Sequence, residues 1–201
     1  MNSIEKLSQI FSHFPGVGER QAKRFVYYLL SRKGSAIEDL IETINSLKKE
    51  IAICEDCMRF FKRERDEKLC KICSNPERER DNLVIVQKDI DLESVERSGT
   101  FKGVYFVLGG QVRILDKEPE KKVRINELKS FIQNKNIKEI ILATNWNPEG
   151  ENTADYVERQ IKEICENKNI KISRLGKGLS MGTELEYTDP DTLKNALKNR
   201  S

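Results

Sequence analysis

Four cysteines, Cys54, Cys57, Cys70 and Cys73, stand in two C-x-x-C pairs, CEDC and CKIC, separated by twelve residues. Each pair presents two thiolates about 3.5 to 4 Å apart to one metal ion, and two such pairs complete a tetrahedral zinc shell. Two disulfides or four ordinary buried thiols are the competing explanations. No signal-peptide pattern precedes the cysteines, which disfavours disulfides, and the segment is too polar to bury four thiols as hydrophobes. With sulfur in all four positions no coordination site is open to water, so the predicted ion is structural and not catalytic. It staples a segment too small to build its own core. Lys62, Arg63 and Lys71 lie within this knuckle sequence, where cations offset a thiolate shell of about −2 charge.

Charged residues make up 34% of the 201 residues and aromatic ones 7%, the profile of a soluble, cytosolic chain with one large or two to three small domains. The longest apolar runs, such as Ile137 to Ala143, are far too short to span a bilayer. The formal charge is +3 with neutral cysteines; four bound thiolates and one divalent zinc bring it to about +1. Net charge therefore says little about partners, and local charge says more.

Between Phe14 and Lys33 the cations Arg20, Lys23, Arg24, Arg32 and Lys33 face a single acid, Glu19. Gly16 and Gly18 allow a tight turn with positive φ, after which Glu19 opens a helix with Ala22, Phe25, Val26 and Leu29 on its apolar side. Backbone N–H groups at that helix start suit a phosphate oxygen, with Arg20, Lys23 and Arg24 around it. The outcome is a sequence-independent contact to a nucleic-acid backbone. The segment FPGVGERQAKRFVYYLL resembles the helix-hairpin-helix motif; the lesser alternative, taking the segment alone, is a plain helical hairpin with a glycine turn. Ile4, Leu7, Ile10 and Phe11 form the stripe of the preceding helix. His13, the only histidine, is expected at the surface, and a mechanism of the Ser-His-Asp or Cys-His kind has no second histidine to draw on.

A third helix is predicted from about Ala36 to Glu50, capped by Ser35, with Ile37, Leu40, Ile41, Ile44 and Leu47 on one face. After Pro76 the charge-dense ERERDN reads as a domain bridge. From Leu83 onward short apolar runs alternate with amphipathic stretches, predicting an α/β domain with a parallel, doubly wound sheet covered on both faces. Ligands gather at the carboxyl ends of such strands. Glu149 and Glu151 follow the strand Ile140 to Ala143, with Gly150 supplying a turn, and precede the helix containing Tyr156. They hold magnesium, accept a cationic partner, or simply decorate a helix start with favourable acids.

The order of these parts, the hairpin, a knuckle ending CKICSNPER, the run ILATNWNPEGENTADY and a terminal GTELEYTDPDTL, resembles the RecR family over essentially the whole chain. The resemblance implies four regions: residues 1–52, helical and DNA-binding; 53–80, the four-cysteine zinc knuckle; 81–178, a Toprim-type α/β domain; and 179–201, a carboxyl-terminal segment making subunit contacts. It further implies a non-enzymatic, cytoplasmic, nucleoid-associated protein of recombinational DNA repair. Such proteins form a ring-shaped homo-oligomer, tetramer or dimer, that clamps duplex or gapped DNA and acts with RecO and RecF. Gly16, Gly18, Arg20 and Arg24 become DNA contacts, with Lys23 an added cation; the four cysteines become zinc ligands; Glu149 and Glu151 become an acidic partner-facing surface.

Several positions depart from the family pattern. Gln87 stands where the first Toprim strand ends in glutamate, and an amide cannot shuttle a proton near neutral pH, which argues against strand cleavage. The loop Met58 to Leu69 is a few residues longer than usual, at little cost to stability. Trp146, Ser180 and Thr183 differ as well, leaving open the subunit interface and whether Trp146 packs on its own domain or anchors a partner. Cys165 reads as a buried structural thiol. Two alternatives are a magnesium-dependent Toprim nuclease using Glu149 and Glu151, and a purely protein-binding adaptor.

Overall fold

A computed structural model describes residues 1–176, 182, 184–188 and 190–198. The chain divides into two compact units, Met1–Ile51 and Ala52–Ser201. Ser180 and Thr183 lie outside the described residues.

The first unit holds three helices, α1 (Ser3–Ser12), α2 (Glu19–Leu30) and α3 (Gly34–Glu50). Asn2 and Glu5 form a reciprocal capping box at the start of α1, each side chain accepting the other's backbone N–H at 2.9 Å. α1 and α2 pack as a hairpin. Ala22 and Val26 are buried, and Phe11 meets Phe14 and Phe25 edge-on at 5.5 and 5.9 Å. The predicted Ser35 cap is corrected: Lys33 occupies the N-cap and α3 starts at Gly34. α3 buries none of its seventeen residues, so its apolar stripe of Leu40, Ile41, Ile44 and Leu47 faces solvent.

In the second unit a short ribbon, β1 (Ile51–Ile53) and β2 (Phe60–Lys62), and the single-turn helix α4 (Lys71–Ser74) frame the cysteines. There follow β3 (Glu79–Val86), α5 (Asp89–Ser98), β4 (Gly103–Val107), α6 (Ile125–Asn134), β5 (Glu139–Ala143), α7 (Pro148–Lys168), β6 (Lys171–Arg174) and α8 (Pro190–Lys198). The four long strands form a parallel sheet in the order β4-β3-β5-β6. The ERERDN stretch is no bridge: its last four residues are the start of β3, where Asn82 pairs with Glu139, and a register irregularity lies between Glu79 and Leu83.

Alternating side chains of β3 and β4 point to opposite faces. Leu83, Ile85, Val104 and Phe106 meet Leu128 and Ile132 of α6 and Val157 and Ile161 of α7. Val84, Val86, Tyr105 and Val107 meet Leu92 of α5 and the four cysteines. The second face of the sheet is thus covered half by a helix and half by the knuckle. At the far end Lys168 donates to the carbonyl oxygens of Ile132, Gln133 and Lys135 at 2.8–2.9 Å, closing the carboxyl end of α6.

Candidate metal centre and nucleic-acid interface

Cys54, Cys57, Cys70 and Cys73 are all buried, and their sulfur atoms lie within 4.8 Å of one another. A tetrahedral zinc–thiolate shell has sulfurs ~3.8 Å apart, so this donor set fits the ion the spacing predicts. The sulfurs of Cys57 and Cys70 are 3.6 Å apart and all four cysteines are free of disulfides. Thiols this close cannot titrate independently. Hydrogen bonds from Cys57, Cys70 and Cys73 hold the Cys54 thiol far below its ordinary value, while the same contact with Cys54 pushes Cys57 up. Among the described residues this is the one group of three or more metal-ligating side chains that converges.

The knuckle is tied to the sheet by polar contacts that periodicity could not reveal. The N–H of Val107 donates to Cys57 O at 2.8 Å, and Arg124 Nη1 donates to Met58 O at 2.6 Å and to Val107 O at 3.3 Å. Met58 needs this support because it sits in the left-handed region at φ 60°, a conformation costing a residue with a Cβ about 1 kcal/mol or more. Lys135 pairs with Asp56 at 2.8 Å, Asp89 accepts from the Phe60 N–H at 2.7 Å, and Arg80 Nη2 donates to Cys73 O at 3.0 Å. Arg80, the cation on a ligand's carbonyl, was not among those the sequence singled out.

At the hairpin only Gly16 has a positive φ, 76°, closing a turn in which Val17 N–H donates to Phe14 O at 3.0 Å. Gly18 corrects the expectation: at φ −82°, ψ 169° it is the extended N-cap of α2, with no side chain to cap the helix. The first-turn N–H groups of α2 therefore lack a side-chain acceptor, and a Cβ at Gly16 or Gly18 would meet nothing within 4 Å. Arg20, Lys23 and Arg24 are all exposed, on the side of α2 away from Ala22 and Val26. Together they make an open, cationic surface suited to a phosphodiester backbone. His13 is exposed, as expected, with Nδ1 2.6 Å from Gln9 O.

Glu149 and Glu151 lie inside the first turn of α7, not before it. Asn147 caps that helix, accepting the Gly150 N–H at 2.8 Å, and Pro148 opens it. Gly150 makes no turn; it is buried, and a Cβ there would run into the Asn145 carbonyl. Behind the acids is a buried polar network. Gln87, fully buried at the end of β3, accepts from the Asn145 N–H at 3.2 Å and donates to Thr153 Oγ1 at 3.5 Å. Thr153 also accepts from the Val112 N–H at 2.9 Å and donates to Glu149 O at 2.6 Å. The amide at position 87 thus joins β3, the loop after β5 and α7, and Thr153 brings in the loop after β4. Trp146 is half exposed in the loop beside Asn145. Cys165 is buried and its thiol is pushed up to about 11 by that burial.

The parallel sheet, with a polar cluster at the carboxyl ends of β3 and β5, defines a Toprim domain, and the Toprim family model matches residues 82–175. Models described as "RecR, helix-hairpin-helix" and "RecR, C-terminal" match residues 4–48 and 178–201. Proteins named "Recombination protein RecR" are similar along nearly the whole chain. That of Dehalococcoides mccartyi is 36% identical over 198 residues, 98% of this chain and 93% of the relative. That of Rickettsia canadensis is 38% identical over 199 residues, 99% and 96%, and that of Syntrophobacter fumaroxidans 36% over 197 residues, 98% and 94%. The chain belongs to the RecR family, whose members are named for recombination. No helix among the described residues is long and apolar enough to cross a membrane.

Proposed function

We infer that this protein is a non-enzymatic DNA-binding protein of recombinational repair that grips duplex and gapped DNA through its hairpin and works as a homo-oligomer with RecO and RecF. The observation that carries the reading is the uncapped start of α2 with Arg20, Lys23 and Arg24 exposed beside it. Residues 1–52 bind DNA through Gly16, Gly18 and these three cations. Residues 53–80 hold a structural zinc ion through the four cysteines, residues 81–178 are the Toprim domain, and 179–201 contribute subunit contacts. Glu149 and Glu151 offer a cationic partner an acidic helix start.

A nuclease is disfavoured by the Gln87 environment. An amide buried between Asn145 N–H and Thr153 Oγ1 supplies no general base, and among the described residues Glu149 and Glu151 are not joined by a third metal-ligating side chain. A protein-contact role for the first unit has its own support in α3. Its exposed stripe is flanked by Glu38, Asp39 and Glu42 in one half and Lys48 and Lys49 in the other, a pattern that favours antiparallel pairing with a second copy.

The test incubates zinc-loaded protein with end-labelled gapped DNA and magnesium across a salt series. Retarded, intact DNA with steep salt dependence supports the reading, and the Arg20→Ala, Lys23→Ala, Arg24→Ala triple variant should lose it while keeping its fold. Cut strands would restore the nuclease, and no binding at low salt would leave an adaptor.

A further inference from the structure

α2 carries an aromatic ring where packing gives no reason for one. At about 100° per residue, Arg20, Lys23, Arg24 and Tyr27 share an arc of roughly 100° on the side of the helix away from buried Ala22 and Val26. Tyr27 is 60% exposed, and among the described residues neither its ring nor its hydroxyl has a partner. Its neighbour Tyr28 is different: the Arg32 guanidinium lies 4.1 Å from that ring's centroid and donates to its hydroxyl at 2.5 Å, so that side chain is engaged. Along the axis Tyr27 lies ~4.5 Å beyond Arg24 and ~10 Å beyond Arg20.

We propose that Tyr27 stacks on an unpaired base of a DNA strand whose phosphates are held by Arg20, Lys23 and Arg24, so that this face prefers the single-stranded part of a gap over continuous duplex. The inference rests on the DNA-binding reading above and adds to it a choice of substrate. The occupant follows from chemistry on the helix itself. Three cations within about two turns of an exposed ring attract a polyanion with flat, apolar faces, and single-stranded DNA offers both at once. In duplex the base faces are already covered by their neighbours in the stack, so the same cations bind it without using the ring. A second copy of this face is a poor occupant, because Arg20, Lys23 and Arg24 would confront their own counterparts.

The experiment measures binding of the zinc-loaded full chain to a fluorescent oligothymidine and to a blunt duplex of equal length, for wild type, Tyr27→Ala and Tyr27→Phe. Melting curves establish that each variant is folded, and sedimentation reports its mass. Tyr27→Ala should weaken oligothymidine binding roughly tenfold and change duplex binding less than about twofold, whereas Tyr27→Phe should match wild type. Equal losses on both DNAs, no loss on either, or a Tyr27→Phe defect as large as that of Tyr27→Ala would overturn the assignment. A drop in mass for Tyr27→Ala would overturn it too, placing the ring in a subunit interface. If wild type binds neither DNA, the DNA-binding reading itself fails; if wild type binds both and Tyr27→Ala behaves identically, only the stacking role does.

Discussion

The backbone N–H of Val107 donates to the carbonyl of Cys57 at 2.8 Å, so the last residue of a core strand is hydrogen-bonded to a turn of the four-cysteine cluster. Arg124 doubles the connection by donating to Met58 O and Val107 O. The sulfurs share a hydrophobic cluster with Val84, Val86, Tyr105 and Val107. A zinc ion held by these sulfurs would therefore brace one face of the sheet as well as its own loop.

Zinc removal by a chelator should accordingly disturb the sheet. Amide exchange should quicken at Val107, Leu108 and Arg124 together with Cys54 to Cys73, and thermal unfolding of the second unit should move to lower temperature as one transition. Exchange that quickens only between Cys54 and Cys73 would mean that the knuckle melts alone.

Thr153→Val keeps the shape of the side chain but leaves the buried Val112 N–H and the Gln87 amide without an acceptor. A loss of about 1–3 kcal/mol in denaturant unfolding is expected, against a smaller loss for Thr153→Ser, which retains the hydroxyl. Equal losses in the two variants would assign the effect to packing.

Gly18→Ser should separate stability from binding. The residue has extended N-cap geometry and open space for a Cβ, so a serine hydroxyl can accept a first-turn N–H and stabilise α2 by a few tenths of a kcal/mol. The same hydroxyl would occupy N–H groups that the proposed phosphate contact needs. A raised Tm with weakened DNA binding is expected; stronger binding would remove this helix start from the interface.

Two carboxyl groups give a modest acid sensitivity. Lys138 holds Asp81 below its ordinary 3.8, and Lys171 and then Ser173 hold Glu139 below its ordinary 4.5. Because the folded-state values are depressed, their stabilisation is present above those ordinary values and is lost as pH falls beneath them. Both groups are solvent-screened, so the effect is small. The Lys138→Met, Lys171→Met double variant should show a slightly shallower fall of Tm with acid than wild type.

What could be read from the chain divides by the range of the interactions. The cysteine pairs, the Gly16 turn and the cations of α2 are local patterns, and the apolar runs of β3, β4 and β5 announce a sheet buried on both faces. ERERDN misleads because the first residues of β3 run beyond the buried core, where strand pairing tolerates charge. The attachment of the knuckle depends on Arg124 reaching back to Met58, 66 residues earlier, and no periodicity encodes that. Gln87 was conspicuous as a departure, yet its partners Asn145 and Thr153 become visible only when three elements meet. The α3 stripe has correct helical spacing but no cover within the described residues.

The burial of Cys165 has a practical consequence for chemistry on the intact protein. A thiol enclosed by the α7 side of the core, with its ionisation pushed up to about 11, is almost entirely protonated at neutral pH and shielded from reagents. The other four sulfurs are buried as well, and with zinc bound to them a maleimide dye would react selectively with a single cysteine introduced on the surface. Fluorophores could then be attached one at a time to a chain that keeps all five of its own cysteines.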